Sequence, residues 1–150
     1  MTLKEQLAND LRNALRSKDE LRKMTLRLAL AAIHNAEIAK GSELSEEEVV
    51  VVIAKQVKQR RESIAQFDQG GRQDLVAQEQ KELQILLEYM PPQLSEEEIR
   101  SRANEAIEQV GAASPAQMGD VMRVLMPQLK GKADGQVVSR IVKDILSETA

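Results

Sequence analysis

With 150 residues, 42% of them apolar and 30% charged, the chain suits one domain, or two small ones sharing a core, and is neither a disordered nor a membrane-embedded type. Its formal net charge of -3 excludes a broadly basic nucleic-acid binder, and two aromatics, Phe67 and Tyr89, are too few for base stacking, so any RNA contact must come from a local patch. Without cysteine there is no disulfide or thiol chemistry, and with His34 as the sole histidine no metal site is expected.

Helical periodicity runs from end to end, and no alternating strand pattern interrupts it. Leu3, Leu7, Leu11 and Leu15 mark a first helix, and Ser17-Lys18-Asp19 a turn. The second helix spans about residues 19–40. It carries one stripe through Leu21, Met24, Leu28 and Ala32 and another through Leu26, Leu30 and Ile33, a pattern expected of a helix contacted on several sides. Gly41 suits its C-terminal cap, and Ser45-Glu46-Glu47-Glu48 is a capping box opening a third helix along Val49, Ile53, Val57, Ile64 and Phe67. Gly70-Gly71 breaks that helix. A fourth follows through Leu75, Leu83, Leu86 and Met90.

Pro91-Pro92 stops the fourth helix and holds the chain extended. Ser95-Glu96-Glu97-Glu98 repeats the capping box ahead of a fifth helix, Ile99 to Val110, closed by Gly111. Ser114-Pro115 starts a sixth, with Met118, Val121, Met122, Leu125 and Leu129 on its stripe. After the loop Gly131-Lys132-Ala133-Asp134-Gly135, Asp134 is positioned to cap a seventh helix through Val138, Ile141, Ile145 and Leu146. The expected architecture is all-α: a four-helix N-terminal part, residues 1–91, and a compact three-helix C-terminal part, residues 92–150. No apolar run approaches the ~18 residues that cross a bilayer, and no apolar signal core follows Met1. A cytoplasmic location without membrane attachment is therefore expected.

No phosphate-cradling glycine motif and no nucleophile–base constellation is present. His34, at helical spacing from Leu30 and Ile38, reads as an ordinary helix residue rather than a base. Two charged groups stand out. Arg60 and Arg61 straddle the third helix's stripe, and Glu79 lies on that of the fourth. An antiparallel hairpin about Gly70-Gly71 brings them near one another, either as a register-fixing ion pair or as a polar site for phosphate or a partner carboxylate. Arg12, Arg16, Lys18, Arg22, Lys23 and Arg27 surround the first turn, diluted by Asp10, Asp19 and Glu20, as a solvated surface or a phosphate-contacting patch. Met118, Met122 and Met126 recur at i, i+4 and i+8, as core or as a partner groove. Lys130 and Lys132, with the backbone amides of the Gly131 loop, form a candidate anion contact.

Arg60-Arg61-Glu62-Ser63, Gly71-Arg72, Asp74-Leu75, Glu79, Glu82-Leu83, Tyr89-Met90-Pro91, Leu94-Ser95, Glu98, Gly119-Asp120-Val121-Met122 and Gly131-Lys132-Ala133-Asp134-Gly135 together resemble the YqeY family over essentially the whole chain. That family is similar to the C-terminal helical and tail region of GatB, a subunit of the glutamine-dependent amidotransferases that convert glutamyl- or aspartyl-tRNA to the amide. The resemblance implies a two-part helical fold and a tail-like module that engages tRNA. It brings no catalytic residue and no cofactor, because GatB's catalysis belongs to a separate domain. Three functions follow as expectations: a non-catalytic tRNA-associated accessory module; an adaptor docking on an amidotransferase or synthetase; and a carbon–nitrogen ligase with glutamine as amido-N-donor, the family-level label. DNA is not an expected partner.

Overall fold

The computed structural model describes the backbone of residues 1–149 and the side chains of residues 1–148. Among the described residues there are seven α-helices and no strand: α1 (Leu3–Ser17), α2 (Glu20–Lys40), α3 (Glu46–Gln69), α4 (Gln73–Leu87), α5 (Glu96–Val110), α6 (Met118–Leu129) and α7 (Gly135–Thr149). The chain divides into two compact units, Met1–Met90 and Pro91–Ala150, so Pro91 falls with the second unit rather than the first.

Local chemistry sets the helix ends. The Ser45 and Ser95 hydroxyls each accept the backbone N–H three residues on, and Glu48 and Glu98 reach back to the serine amide. Thr2 and Asp19 cap α1 and α2 in the same way. Gly41 and Gly111 close α2 and α5 with positive φ, where a side chain would be strained. α4 ends at Leu87, short of the Met90 expected from the apolar stripe. The amides of Glu88, Tyr89 and Met90 bond three residues back in a tighter turn, and Pro91, which has no N–H, cannot continue it. A single 3-10 turn, Pro115–Gln117, leads into α6.

In the first unit α3 and α4 form an antiparallel hairpin, α1 pairs with α2, and α2 touches the other three helices. Leu7, Leu26, Ala29, Ile33, Val49, Ile53, Val57, Leu83 and Leu86 make its core. One sequence expectation holds only in part. The stripe through Leu21, Met24, Leu28 and Ala32 enters the core only in part: Leu21 packs against it, whereas Met24 and Leu28 are 58% and 50% exposed. α2 buries the face of Thr25, Leu26, Ala29 and Ile33, and it meets α1, α3 and α4 as expected of a helix contacted by several neighbours.

The second unit packs α5, α6 and α7 around Ile99, Ala103, Val121, Leu125, Leu129, Val138, Val142 and Leu146. Met118, Met122 and Met126 are half-buried against that core. Gln93 donates to the carbonyls of Pro91 and Gly131 at 2.8 and 2.9 Å, and the Leu94 N–H donates to Lys132 O at 2.9 Å, tying the start of this unit to the α6–α7 loop.

Candidate functional site

The turn between α1 and α2 is the most open cationic feature of the first unit. Arg12 and Arg16, one turn apart on α1, and Lys18 in the turn are exposed and make no ion pair among the described residues, and neither does the exposed Arg27 on α2. Arg22 and Lys23 differ. Arg22 grips Glu88 with both terminal nitrogens, at 2.6 and 3.4 Å, and Lys23 pairs with Glu20 at 3.0 Å. The sequence cluster thus divides into cations engaged by the fold and cations facing solvent. Lys18 closes α1 at φ 59, the left-handed region that glycine occupies freely and a side chain does not.

Beside the turn lies a depression of about 560 Å³ lined by Gln6, Asp10, Asn13, Ser17, Arg22, Glu88 and Tyr89. The first four share one polar stripe of α1, at i, i+4, i+7 and i+11. Tyr89 is 6% exposed and donates its hydroxyl to Asp10 Oδ2 at 2.5 Å. Burial, then the hydrogen bond to Asp10, pushes the phenol well above its ordinary 10.0. With the Arg22–Glu88 pair, this bond fastens the turn after α4 to α1 and α2. Sequence reasoning missed it, since Asp10 and Tyr89 are 79 residues apart.

The α3–α4 hairpin carries a third cluster. Arg60 Nη1 contacts Glu79 Oε2 at 3.2 Å and Glu82 Oε2 at 2.7 Å, with all three side chains largely covered. Burial raises the Glu82 carboxyl above its ordinary value, and the Arg60 charge works against that rise. Glu82 is the buried carboxylate that the charge pattern did not single out. Arg61 is half-buried and borders a shallow depression with Ile64, Lys81 and Leu83 on the same hairpin.

The Gly131 loop corrects another expectation. The amides of Lys132 and Ala133 are not available to an anion, because both donate to Leu129 O, and that of Gln136 is taken by the Asp134 carboxylate. The carbonyls of Gly131 and Lys132 hold Gln93 and Leu94, so the loop is an internal brace. Lys130 is exposed and Lys132 half-buried. His34 is exposed on α2. Among the described residues no group of three or more histidine, aspartate or glutamate side chains suits a metal ion, and no helix is long and apolar enough to cross a membrane.

Comparison with known proteins agrees with these motifs. The family model described as Yqey-like protein matches residues 4–146. Relatives named "Altered inheritance of mitochondria protein 41, mitochondrial" match over most of the chain. That of Kluyveromyces lactis is 36% identical over 85% of this chain and 67% of its own length. That of Lachancea thermotolerans is 35% identical over 73% and 60%. That of Saccharomyces cerevisiae is 33% identical over 95% and 67%. The chain therefore spans about two thirds or less of the length of these relatives. Their names overturn the cytoplasmic location expected from the sequence: similar chains are named as mitochondrial proteins, and the apolar patterning of a helical unit holds no information on its compartment. With the family model covering nearly every residue and these relatives above 30% identity, the chain belongs to the YqeY-like family.

Proposed function

We propose that this chain is a non-catalytic accessory module that engages tRNA through the α1–α2 turn. The observation that carries the reading is the set of open cations at that turn: Arg12, Arg16 and Lys18 are exposed and, among the described residues, unpaired, while the neighbouring Arg22 and Lys23 are engaged by Glu88 and Glu20. Unpaired guanidinium and ammonium groups bind phosphates by releasing counterions, a mode that needs neither aromatic platforms nor a basic protein overall. Lys18 adds weight. A lysine in left-handed backbone costs stability relative to glycine, and such strain persists where a side chain has a use. The resemblance to the helical and tail region of GatB suggests tRNA as the class of RNA; the place of contact rests on the charges at the turn alone.

Titration with bulk tRNA at several salt concentrations tests the reading. Changing Arg12, Arg16 and Lys18 to glutamine is expected to flatten the slope of log K against log salt by about three, near one for each cation removed. Absence of wild-type binding at low salt, or an unchanged slope in the triple variant, refutes it. Lys18→Gly separates binding from folding: it stabilises the protein by up to about 1 kcal/mol by removing the left-handed strain, yet weakens tRNA binding. The ligase reading is distinguished by glutamine-dependent amidation of glutamyl-tRNA by the purified chain. The expected result is none, since the sequence holds no cysteine nucleophile and no ATP-binding motif.

A further inference from the structure

We infer that the depression beside the α1–α2 turn takes the base of an unpaired nucleotide, one that carries an exocyclic amino group, from the RNA whose phosphates lie on the turn. The inference rests on the RNA reading above and adds what is recognised besides charge. The depression measures about 560 Å³, within the ~300–1,000 Å³ of small-molecule sites. Among the described residues its charged lining is Asp10, Asp19 and Glu88 against Arg22, and Arg22 is itself engaged by Glu88 at 2.6 Å and Asp19 at 3.7 Å. The excess of carboxylates repels phosphate from the depression, whereas the cations of the turn attract it alongside. Arg16 follows Asn13, on the rim, by three residues, which is about 4.5 Å along α1 and about 60° round it. A strand with a phosphate on Arg16 therefore passes the depression with an uncharged part, its base.

Hydrogen-bonding capacity selects the base. The Gln6 and Asn13 carboxamides are exposed at the depression and, among the described residues, make no side-chain hydrogen bond. Asp10 accepts the Tyr89 phenol on Oδ2, which leaves Oδ1 without a donor among the described residues. A carboxamide offers both a donor and an acceptor and meets the edge of many bases. An ionised carboxylate oxygen accepts only. It receives a hydrogen bond from the amino group of adenine, cytosine or guanine, while uracil sets a carbonyl oxygen on either side of its one N–H. The Tyr89 ring is 6% exposed, so it gives the base no stacking platform, and selection falls to these polar edges.

The test measures binding of the full chain to bulk tRNA across salt concentrations, and to oligo(rA), oligo(rC) and oligo(rU) at one low salt concentration. Asn13→Ala removes a carboxamide at an exposed helix position where alanine favours the fold. It is expected to weaken tRNA binding about fivefold, the worth of one hydrogen bond, with the slope of log K against log salt unchanged because no cation is lost. The wild type is expected to hold oligo(rA) and oligo(rC) about fivefold more tightly than oligo(rU). Asp10→Asn keeps an acceptor for Tyr89 and is expected to bring the three within about twofold of one another, whatever affinity the lost charge adds to all. Circular dichroism checks its fold, and should it unfold, Asn13→Ala and the wild-type base preference decide. Equal wild-type affinity for the three oligonucleotides, or tRNA binding by Asn13→Ala that matches the wild type or has a flattened salt slope, overturns the inference and leaves the phosphate reading standing. Absence of wild-type tRNA binding at low salt removes both.

Discussion

The two units solve the same packing problem differently. In the three-helix unit polar groups stay at the rim: Arg100–Glu148 and Arg140–Glu96 link α5 to α7 at exposed positions, and the core is aliphatic throughout. The four-helix unit places charge inside its packing, with Arg60 against Glu79 and Glu82 and with Asp10 against Tyr89. It also leaves aliphatic side chains outside: Leu15, Met24, Leu28, Ile38 and Val51 are all exposed. A unit with no such departures is explained by its own stability. One that buries carboxylates and exposes leucines departs from that rule in two ways, and such departures concentrate where a molecule does its work.

The sharpest way to break this contrast is to remove one member of an ion pair from each unit. Arg60→Ala leaves Glu79 and Glu82 covered and uncompensated, at an expected cost of about 3–5 kcal/mol by denaturant unfolding. Arg140→Ala, at an exposed pair, is expected to cost less than about 1 kcal/mol. The Arg60 loss also carries a pH signature. Glu82 has a folded-state pKa above its unfolded value, so it favours the fold when protonated and loses that contribution as pH rises through the folded value. Arg60→Ala raises that value further, and its cost is expected to shrink in acid. Equal costs for the two arginines would erase the distinction between the units.

Within α2 the same contrast runs across one helix. Leu26 is fully buried and Leu28 half exposed. Leu26→Ala is expected to cost about 2–5 kcal/mol and Leu28→Ala under about 0.5 kcal/mol, read from the same unfolding curves. These positions also mark where the sequence ceases to be legible. Helix periods, the two Ser-Glu-Glu-Glu caps and the proline stop are local, and they delimit the elements from residue types alone. Burial of a periodic stripe depends on which neighbour covers it, so Met24 and Leu28 read as core although nothing in their unit packs over them. The α3–α4 hairpin follows from Gly70-Gly71, which brings Arg60 within reach of Glu79. Glu82, one turn further on, is told apart from solvated glutamates only by its burial. The Asp10–Tyr89 bond joins chain segments that no local pattern relates.

That bond gives a smaller effect. Tyr89→Phe keeps the buried ring and removes the hydroxyl donated to Asp10, at an expected cost of about 1–2 kcal/mol. Because the folded-state phenol lies above its ordinary 10.0, the wild-type contribution is complete below that value and declines as pH rises beyond it. Alkaline destabilisation above pH 10 is therefore expected to be weaker in Tyr89→Phe than in the wild type. Identical alkaline profiles would show that the phenol does not hold the turn after α4.

The finest comparison is between the two capping boxes, identical in sequence and placed one in each unit. Glu48 accepts from the Ser45 amide at 3.0 Å and also from Lys40 Nζ at 2.6 Å, which locks the α2–α3 connection. Glu98 accepts from the Ser95 amide at 3.4 Å and from its hydroxyl at 3.0 Å, and among the described residues it makes no ion pair. The Lys40 hydrogen bond, followed by those from Ser45, lowers the Glu48 carboxyl from 4.5 to about 2. A carboxyl depressed on folding stabilises the protein above its unfolded pKa and loses that contribution as pH falls towards the folded value, here between about 4.5 and about 2. Glu48→Gln keeps an acceptor for the serine amide but loses the charge, so its acid unfolding should lack the part of the wild-type decline that belongs to this window. Lys40→Met should reproduce much of that change from the other side of the contact. Should both variants follow the wild-type acid profile, the lysine contact adds nothing to the cap, and the two boxes are equivalent despite their different surroundings.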